Sequence, residues 1–339
     1  MQPIEGFLIE SDEDIVFDVK GLVHPPDKVV AFPRFIPDME GSRQAKKRKY
    51  RKVYSLTERF AFLAKNFPEY IVHDHVFDEK LCEVPLNKVK KVHNPVNFLE
   101  TLRRKRNLDE LELVALRCVE ILKEKANVPW SKLGISGSVM AGLHIVTSDV
   151  DPIVYGVENC RKVHEALKTL LKGKSTPFQP YNLEDLRNLF DFRSKDTFMS
   201  FEDFVIMESR KSFQGKFMGR DFFIRFVKDF GEVNEKYGDI LYKNCGYGKI
   251  EAVVVDDSES IFTPCTYKIE NVKNVEGPKL QPIKEIVSFR GRFCEQARKG
   301  ETVVAQGKIE HVVDRRNGSE YFRLLIGNKP SDFMVLKRL

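Results

Sequence analysis

Apolar residues at the start of the chain fall into short alternating runs, IEGFLI from Ile4, DIVFDVKG from Asp14 and KVVAF from Lys28, broken by Gly21 and by His24-Pro25-Pro26. Period-two runs bounded by such breakers predict a small sheet or strand-rich cap. From Leu108 the period lengthens. Leu111, Ala115, Cys118 and Leu122 share one stripe up to Ala126, with Pro129 beyond, and this spacing predicts an amphipathic helix. Residues 132–136 and 150–155 read as short strands with a turn of helix over 139–144 between them. A second helix follows, in which Val163, Leu167, Leu170 and Leu171 recur at helical spacing, with Asn159 as the expected N-cap and Gly173 at its end. After a helix-rich stretch over 175–211, DFFIRFVK at 221–228 predicts a strand with Phe222, Ile224 and Phe226 on one face. From about Gly246 the chain is mostly β, and Asn317-Gly318 marks a hairpin.

This pattern predicts an α/β (α+β) protein in four parts: a β-rich segment over 1–42, a basic and partly helical region over 43–107, a core over 108–240, and a β-rich, barrel-like domain over 246–339. The 339 residues are enough for two or three domains that fold without a metal or disulfide staple. The 42% hydrophobic and 31% charged content excludes a disordered chain, and no apolar run approaches the span of a bilayer. An acidic start, MQPIEGFLIESDED, is unlike a signal peptide and points to the cytoplasm. Six cysteines without a CxxC pair read as buried thiols.

Charge narrows the partners. Residues 41–106 hold 17 Lys or Arg against 7 Asp or Glu, an excess of +10, so with a net +6 overall the remainder carries −4. The excess lies in RQAKKRKYRK at 43–52, KVKKVH at 88–93 and RRKR at 103–106. Such runs suit a polyanion, RNA before DNA, through counterion release, and equally a solvated face. Lys308, Arg315, Arg316 and Arg323 beside Tyr321 and Phe322 extend the same reading to the C-terminal part.

The candidate chemistry lies in GISGSVMAGLHIVTSDVDPIVYG, residues 134–156. Gly137 permits close backbone approach, and the amides that follow, with the Ser138 hydroxyl, can hold nucleotide phosphates. Ten residues later, Asp149 and Asp151 stand two apart on a strand. They share a face about 6.6 Å apart along the chain. Two such carboxylates can bind Mg²⁺ or Mn²⁺ together with substrate phosphates.

Gly137-Ser138, the ten-residue gap and Asp149-x-Asp151, set in strand, helix, strand order, resemble the signature of the polymerase-β-like nucleotidyltransferase superfamily. The chain as a whole is similar to predicted archaeal nucleotidyltransferases of undetermined substrate. The resemblance implies a short mixed sheet with flanking helices, an NTP substrate, divalent metal, and transfer of an NMP to an acceptor hydroxyl. It also implies a third carboxylate from a later strand, as metal ligand and base. Asp221 is the candidate; Glu208 and Glu251 are alternatives, and an acid merely flanking a strand fits Asp221 as well. Arg220 and Arg225 are candidates for phosphate oxygens, or for pairing with carboxylates. Pro152 departs from the family pattern, because it removes a ladder donor beside the proposed metal site. Two rival readings stand beside the enzyme acting on RNA: a non-catalytic nucleic-acid-binding scaffold, and nucleotidylation of a protein or small molecule. His73 and His75 form a weaker zinc candidate without evident further ligands, and His144 is either a substrate contact or a polar cap.

Overall fold

The computed structural model describes residues 3–45 and 47–338. The fold is mixed α+β, and the chain divides into two compact units. The first takes in residues up to Val72, Leu81–Pro180 and Ser212–Asn234; the second holds His73–Lys80, Tyr181–Lys211 and the residues from Glu235 on. The first unit therefore joins the N-terminal β-rich segment, most of the basic region and most of the 108–240 stretch.

Eight strands build the larger sheet of the first unit: β1 (Leu8–Ser11), β2 (Val16–Val19), β3 (Lys28–Pro37), β4 (Arg43–Ala45), β5 (Arg48–Lys52), β6 (Ile71–Asp74), β7 (Glu79–Pro85) and β8 (Val89–His93). Their order is β4-β5-β3-β2-β1-β8, with β7 pairing β3 and β6. The sheet is buried on both faces. Ile9, Phe17, Val19 and Ala31 pack with Leu63 of α1 (Leu56–Asn66), Tyr70 and Val84. The alternate residues Leu8 and Val16 pack with Phe35, Tyr50, Met140 and Leu143. A sheet with two cores reads as nearly continuous apolar sequence, which explains FLI and VVAF. The sheet curls: Arg48 of β5 and Lys90 of β8 both pair with Asp14 in the β1–β2 turn.

Next come α2 (Pro95–Arg104) and α3 (Glu110–Ala126). Asp109 caps α3 in a reciprocal box with Glu112, Asn127 ends it in the left-handed conformation, and the predicted stripe of Leu111, Ala115, Cys118 and Leu122 is buried. Then follow β9 (Leu133–Ile135), the short α4 (Gly137–Ala141), β10 (Pro152–Tyr155) and α5 (Val157–Lys172). Gly156, not Asn159, occupies the N-cap of α5. Asn159 lies inside the first turn and donates to the Tyr155 carbonyl, while Glu232 accepts from the Val157 N–H. Three further short strands form a separate sheet in the order β11-β12-β13: β11 (Phe178–Gln179), β12 (Gln214–Phe217) and β13 (Arg220–Phe223). The strand expected over 221–228 is thus split into β13 and β14 (Arg225–Val227).

β10 is the middle of a mixed three-stranded sheet, antiparallel to β9 and parallel to β14. Pro152 accounts for the split. Val150 exchanges hydrogen bonds with Asp221 and Phe223, but the next rung toward that strand needs the N–H that proline lacks. Ile224, whose N–H points away from β10, donates to the Phe213 carbonyl, and pairing with β10 resumes at Ile153 and Arg225.

The second unit contains α6 (Leu183–Arg193), α7 (Phe201–Glu208) and six strands: β15 (Ile240–Asp256), β16 (Cys265–Glu276), β17 (Ile283–Ser288), β18 (Thr302–Asp314), β19 (Ser319–Leu325) and β20 (Phe333–Leu336). The order β15-β16-β17-β19-β18 closes into a ring through β15–β18 pairing, with β17 and β19 parallel and β20 hung on β18. Asn317-Gly318 turns the β18–β19 hairpin as expected. Lys308 and Arg323 are not a solvent-facing nucleic-acid surface. Both are buried on Glu310, at 3.0 and 2.7 Å, with Lys308 also on Glu79 and the Arg323 guanidinium over the Tyr242 ring. Arg316 pairs with Asp314. All six cysteines are free, five of them buried. No helix among the described residues is long and apolar enough to cross a membrane.

Removing one member of a buried charge network strands the others. Glu310→Ala is expected to destabilise the chain by about 3–5 kcal/mol, read as a lower urea midpoint; an unchanged midpoint would mean that the network gains no more than its desolvation costs.

Candidate active site

The turn from β9 into α4 brings Gly137 against the second aspartate. Ser136 donates its N–H to the Asp151 carbonyl at 2.9 Å and its hydroxyl to the Gly6 carbonyl at 2.6 Å, which fixes the turn. Gly137 has φ +64°, and a Cβ there would lie 1.8 Å from Asp151 Oδ2. Both the conformation and the contact demand glycine. The Ser138 hydroxyl is buried and has no hydrogen-bond partner among the described residues.

Between α4 and Asp149 the chain is held by Arg43, a buried member of the 43–52 run. It donates to the Leu143 carbonyl at 2.6 Å and to Ser148 Oγ at 3.3 Å. Val150 is fully buried, so its neighbours Asp149 and Asp151 turn to the opposite face, as strand alternation requires.

The two carboxylates repel. Burial, then the charge of Asp149, pushes Asp151 up to about 7, while Lys52, Arg34 and Arg225 pull it back. Lys52 Nζ stands 3.9 Å from Asp149 Oδ1. A buried acid that resists ionising beside a second carboxylate is an arrangement a divalent cation relieves, so this donor set fits Mg²⁺ held by two carboxylates and completed by phosphate oxygens. Among the described residues no group of three or more His, Cys, Asp or Glu is placed to hold a metal.

Asp221 lies beside Val150, its carbonyl accepting from the Val150 N–H, but its exposed carboxylate pairs with Lys216 at 3.0 Å. Glu208 and Glu251 belong to the second unit, where Glu208 binds Arg193 and Lys211, and Glu251 binds Lys273 and Lys337. Arg220 reaches Glu110 at 2.6 Å and the Val146 carbonyl. Arg225 is held by Glu5 at 2.8 Å and Asp18 at 3.5 Å, with Lys20 bridging the same two acids. Burial alone would raise Asp18; Lys20, Arg225 and Arg34 outweigh it and hold it below the usual carboxylate range. His144 pairs with Asp109, the cap of α3, and His73 pairs with Asp78.

Sequence reasoning missed Arg34 and Lys52 as members of this site. Lys52 closes the run read as a polyanion surface, and the alternation Tyr50-x-Lys52-x-Tyr54 at and just beyond the end of β5 was the available signal. Much of the remaining basic excess is paired nearby: Arg48 and Lys90 with Asp14, Arg51 with Asp38 and Glu58, Arg104 with Glu100, and Lys105 with Glu112. Arg103 covers the Trp130 ring. Lys46 lies outside the described residues.

Over 333 residues the chain is 32% identical to the uncharacterized protein MJ1086 of Methanocaldococcus jannaschii, covering 96% of this chain and 95% of that protein. The chain belongs to the MJ1086 family. No protein-family model matches it, and no solved structure does.

The raised Asp151 fixes the sign of a pH effect. Between about pH 4 and 7 the folded chain keeps a proton that the unfolded chain releases, so stability falls as pH rises through that window, and the deficit is complete above it. Asp151→Asn is therefore expected to raise Tm by a few degrees at pH 8 and to leave it nearly unchanged at pH 4. Mg²⁺ should raise Tm at pH 8 in the unaltered protein and not in the variant; equal response of both would remove Asp151 from the metal site.

Proposed function

We propose that the chain is a metal-dependent nucleotidyltransferase that moves an NMP from an NTP to an acceptor hydroxyl, with RNA as the favoured acceptor. The observation that carries this reading is the Asp151 carboxylate seated on Gly137 with Asp149 beside it, a paired acid that cannot comfortably ionise without a cation. Asp149 and Asp151 would hold Mg²⁺, or Mn²⁺, which when bound neutralises phosphate charge and acidifies a hydroxyl. Gly137 leaves room for the Asp151 carboxylate, beside which the phosphate chain would lie. The unpartnered Ser138 hydroxyl donates to one of its oxygens. The acceptor oxygen forms a bond to the α-phosphorus as the bond to the β-phosphate oxygen breaks. Pyrophosphate leaves with that electron pair, and the hydroxyl proton passes to a carboxylate. Asp221 is the candidate for that role, and its carboxylate would first have to leave Lys216. Positioning and charge neutralisation supply most of the rate.

Two observations favour the other readings. Lys52 beside Asp149 puts a cation where a scaffold without metal would need one, and the five-stranded ring of the second unit is an architecture that elsewhere binds oligonucleotides. The local pairing of the basic runs favours a protein or small-molecule acceptor.

Purified protein incubated with Mg²⁺ or Mn²⁺ and each of four α-labelled NTPs, with RNA, DNA or no acceptor, tests these together. Label transfer reduced at least about a hundredfold in Asp149→Ala/Asp151→Ala supports the transferase, and the labelled species names the acceptor class. Salt-sensitive RNA binding without transfer in any mixture overturns it in favour of the scaffold.

A further inference from the structure

The wall facing the two aspartates comes from the N-terminal sheet. Lys52 ends β5, and its side chain is only 10% exposed. Its Nζ lies 3.9 Å from Asp149 Oδ1 and 5.0 Å from the Tyr54 ring centroid. Arg34, on β3, puts its guanidinium carbon 5.3 Å from the same ring. Among the described residues Arg34 has no side-chain hydrogen bond or ion pair, although it is close enough to Asp18 and Asp151 to lower both. The contrast with Arg225 is direct, since that guanidinium is already spent on Glu5 and Asp18. Tyr54 presents a ring that is 43% exposed. Two cations, one of them with no ion pair among the described residues, flanking a partly exposed aromatic ring beside paired carboxylates, match the parts of one ligand: a charged phosphate chain joined to a flat heterocycle.

We propose that Arg34, Lys52 and Tyr54 form the nucleotide cradle of this site, with Arg34 and Lys52 on the β- and γ-phosphates and the Tyr54 ring under the base. This rests on the nucleotidyl-transfer reading and adds to it: the sheet that precedes the aspartates by about a hundred residues binds the nucleotide. The polyphosphate exchanges its counterions for Arg34 and for Lys52, which leaves Asp149 free for metal. Stacking on Tyr54 tolerates any base and is strongest for purines, whose ring surface is larger.

The test uses the full chain and two probes, inorganic tripolyphosphate and the α,β-methylene analogues of the four NTPs, by titration calorimetry in Mg²⁺. Arg34→Gln and Lys52→Gln should each weaken both probes about tenfold or more, and Lys52→Arg should recover most of the loss. Tyr54→Leu should weaken the nucleotide analogues about fivefold or more, purines most, and leave tripolyphosphate within about twofold; Tyr54→Phe should bind as the unaltered chain does. A purely structural role for Tyr54 would weaken both probes alike and overturn the base platform. Tripolyphosphate binding that ignores both cations overturns the cradle. The α-label assay on the same samples separates the two claims. Transfer that is unaffected by Arg34→Gln and Lys52→Gln refutes the cradle alone. Binding that depends on Arg34 and Lys52, with no transfer in any mixture, keeps the cradle and refutes the transferase.

Discussion

Repulsion between Asp149 and Asp151 is the constraint around which the first unit is arranged. One carboxylate is pressed onto a glycine and partly removed from water, and the other stands two residues away with the same charge. The fold answers with cations from three strands. Lys52 approaches Asp149 from β5, Arg34 from β3, and Arg225 from the parallel neighbour of β10. Arg225 then needs its own anions in a buried position, and Glu5, Asp18 and Lys20 supply an alternating cluster at the start of the chain. The N-terminal sheet and the β9–α4–β10 turn are thereby one electrostatic system.

Packing supports the same dependence. Leu8 and Ile9 point to different apolar clusters, so β1 sits between two cores, one with α1 and the other with α4 and the residues after it. A sheet used on both faces is rigid, and side chains at the ends of its strands are held to a narrow range of positions. Lys52 sits at such a place and Arg34 within β3, where a site gains from supports that do not give.

Local features were legible in the sequence because local physics produces them. The stripe through Leu111 and Leu122 gave the long helix, Asn317-Gly318 gave the hairpin, and the spacing from Gly137 to Asp151 gave a turn that does place the two in contact. Long-range features were not. Nothing near Arg34 indicates that it faces Asp151, and Lys308 and Arg323 look like surface cations until Glu310 and Glu79 are seen beside them. Asn159 lost the cap to Gly156 because the chain needs a positive φ to leave β10, a demand set by the strand rather than by capping propensity. The first residues of β15 were hidden by Lys243, Asn244 and Gly246, which occupy an irregular stretch of its pairing with β18.

The Arg225 contact with Glu5 spans 220 residues, nearly two thirds of the chain. During synthesis the opening strands emerge long before the guanidinium that neutralises them. With only Lys20 and Arg34 at hand, closing the sheet early would bury Glu5 and Asp18 with less positive charge than the finished fold supplies, and a poorly paired buried carboxylate is costly. Closing the N-terminal sheet onto these acids is therefore favoured only once β14 has emerged, which ties assembly of the site to a late stage of synthesis.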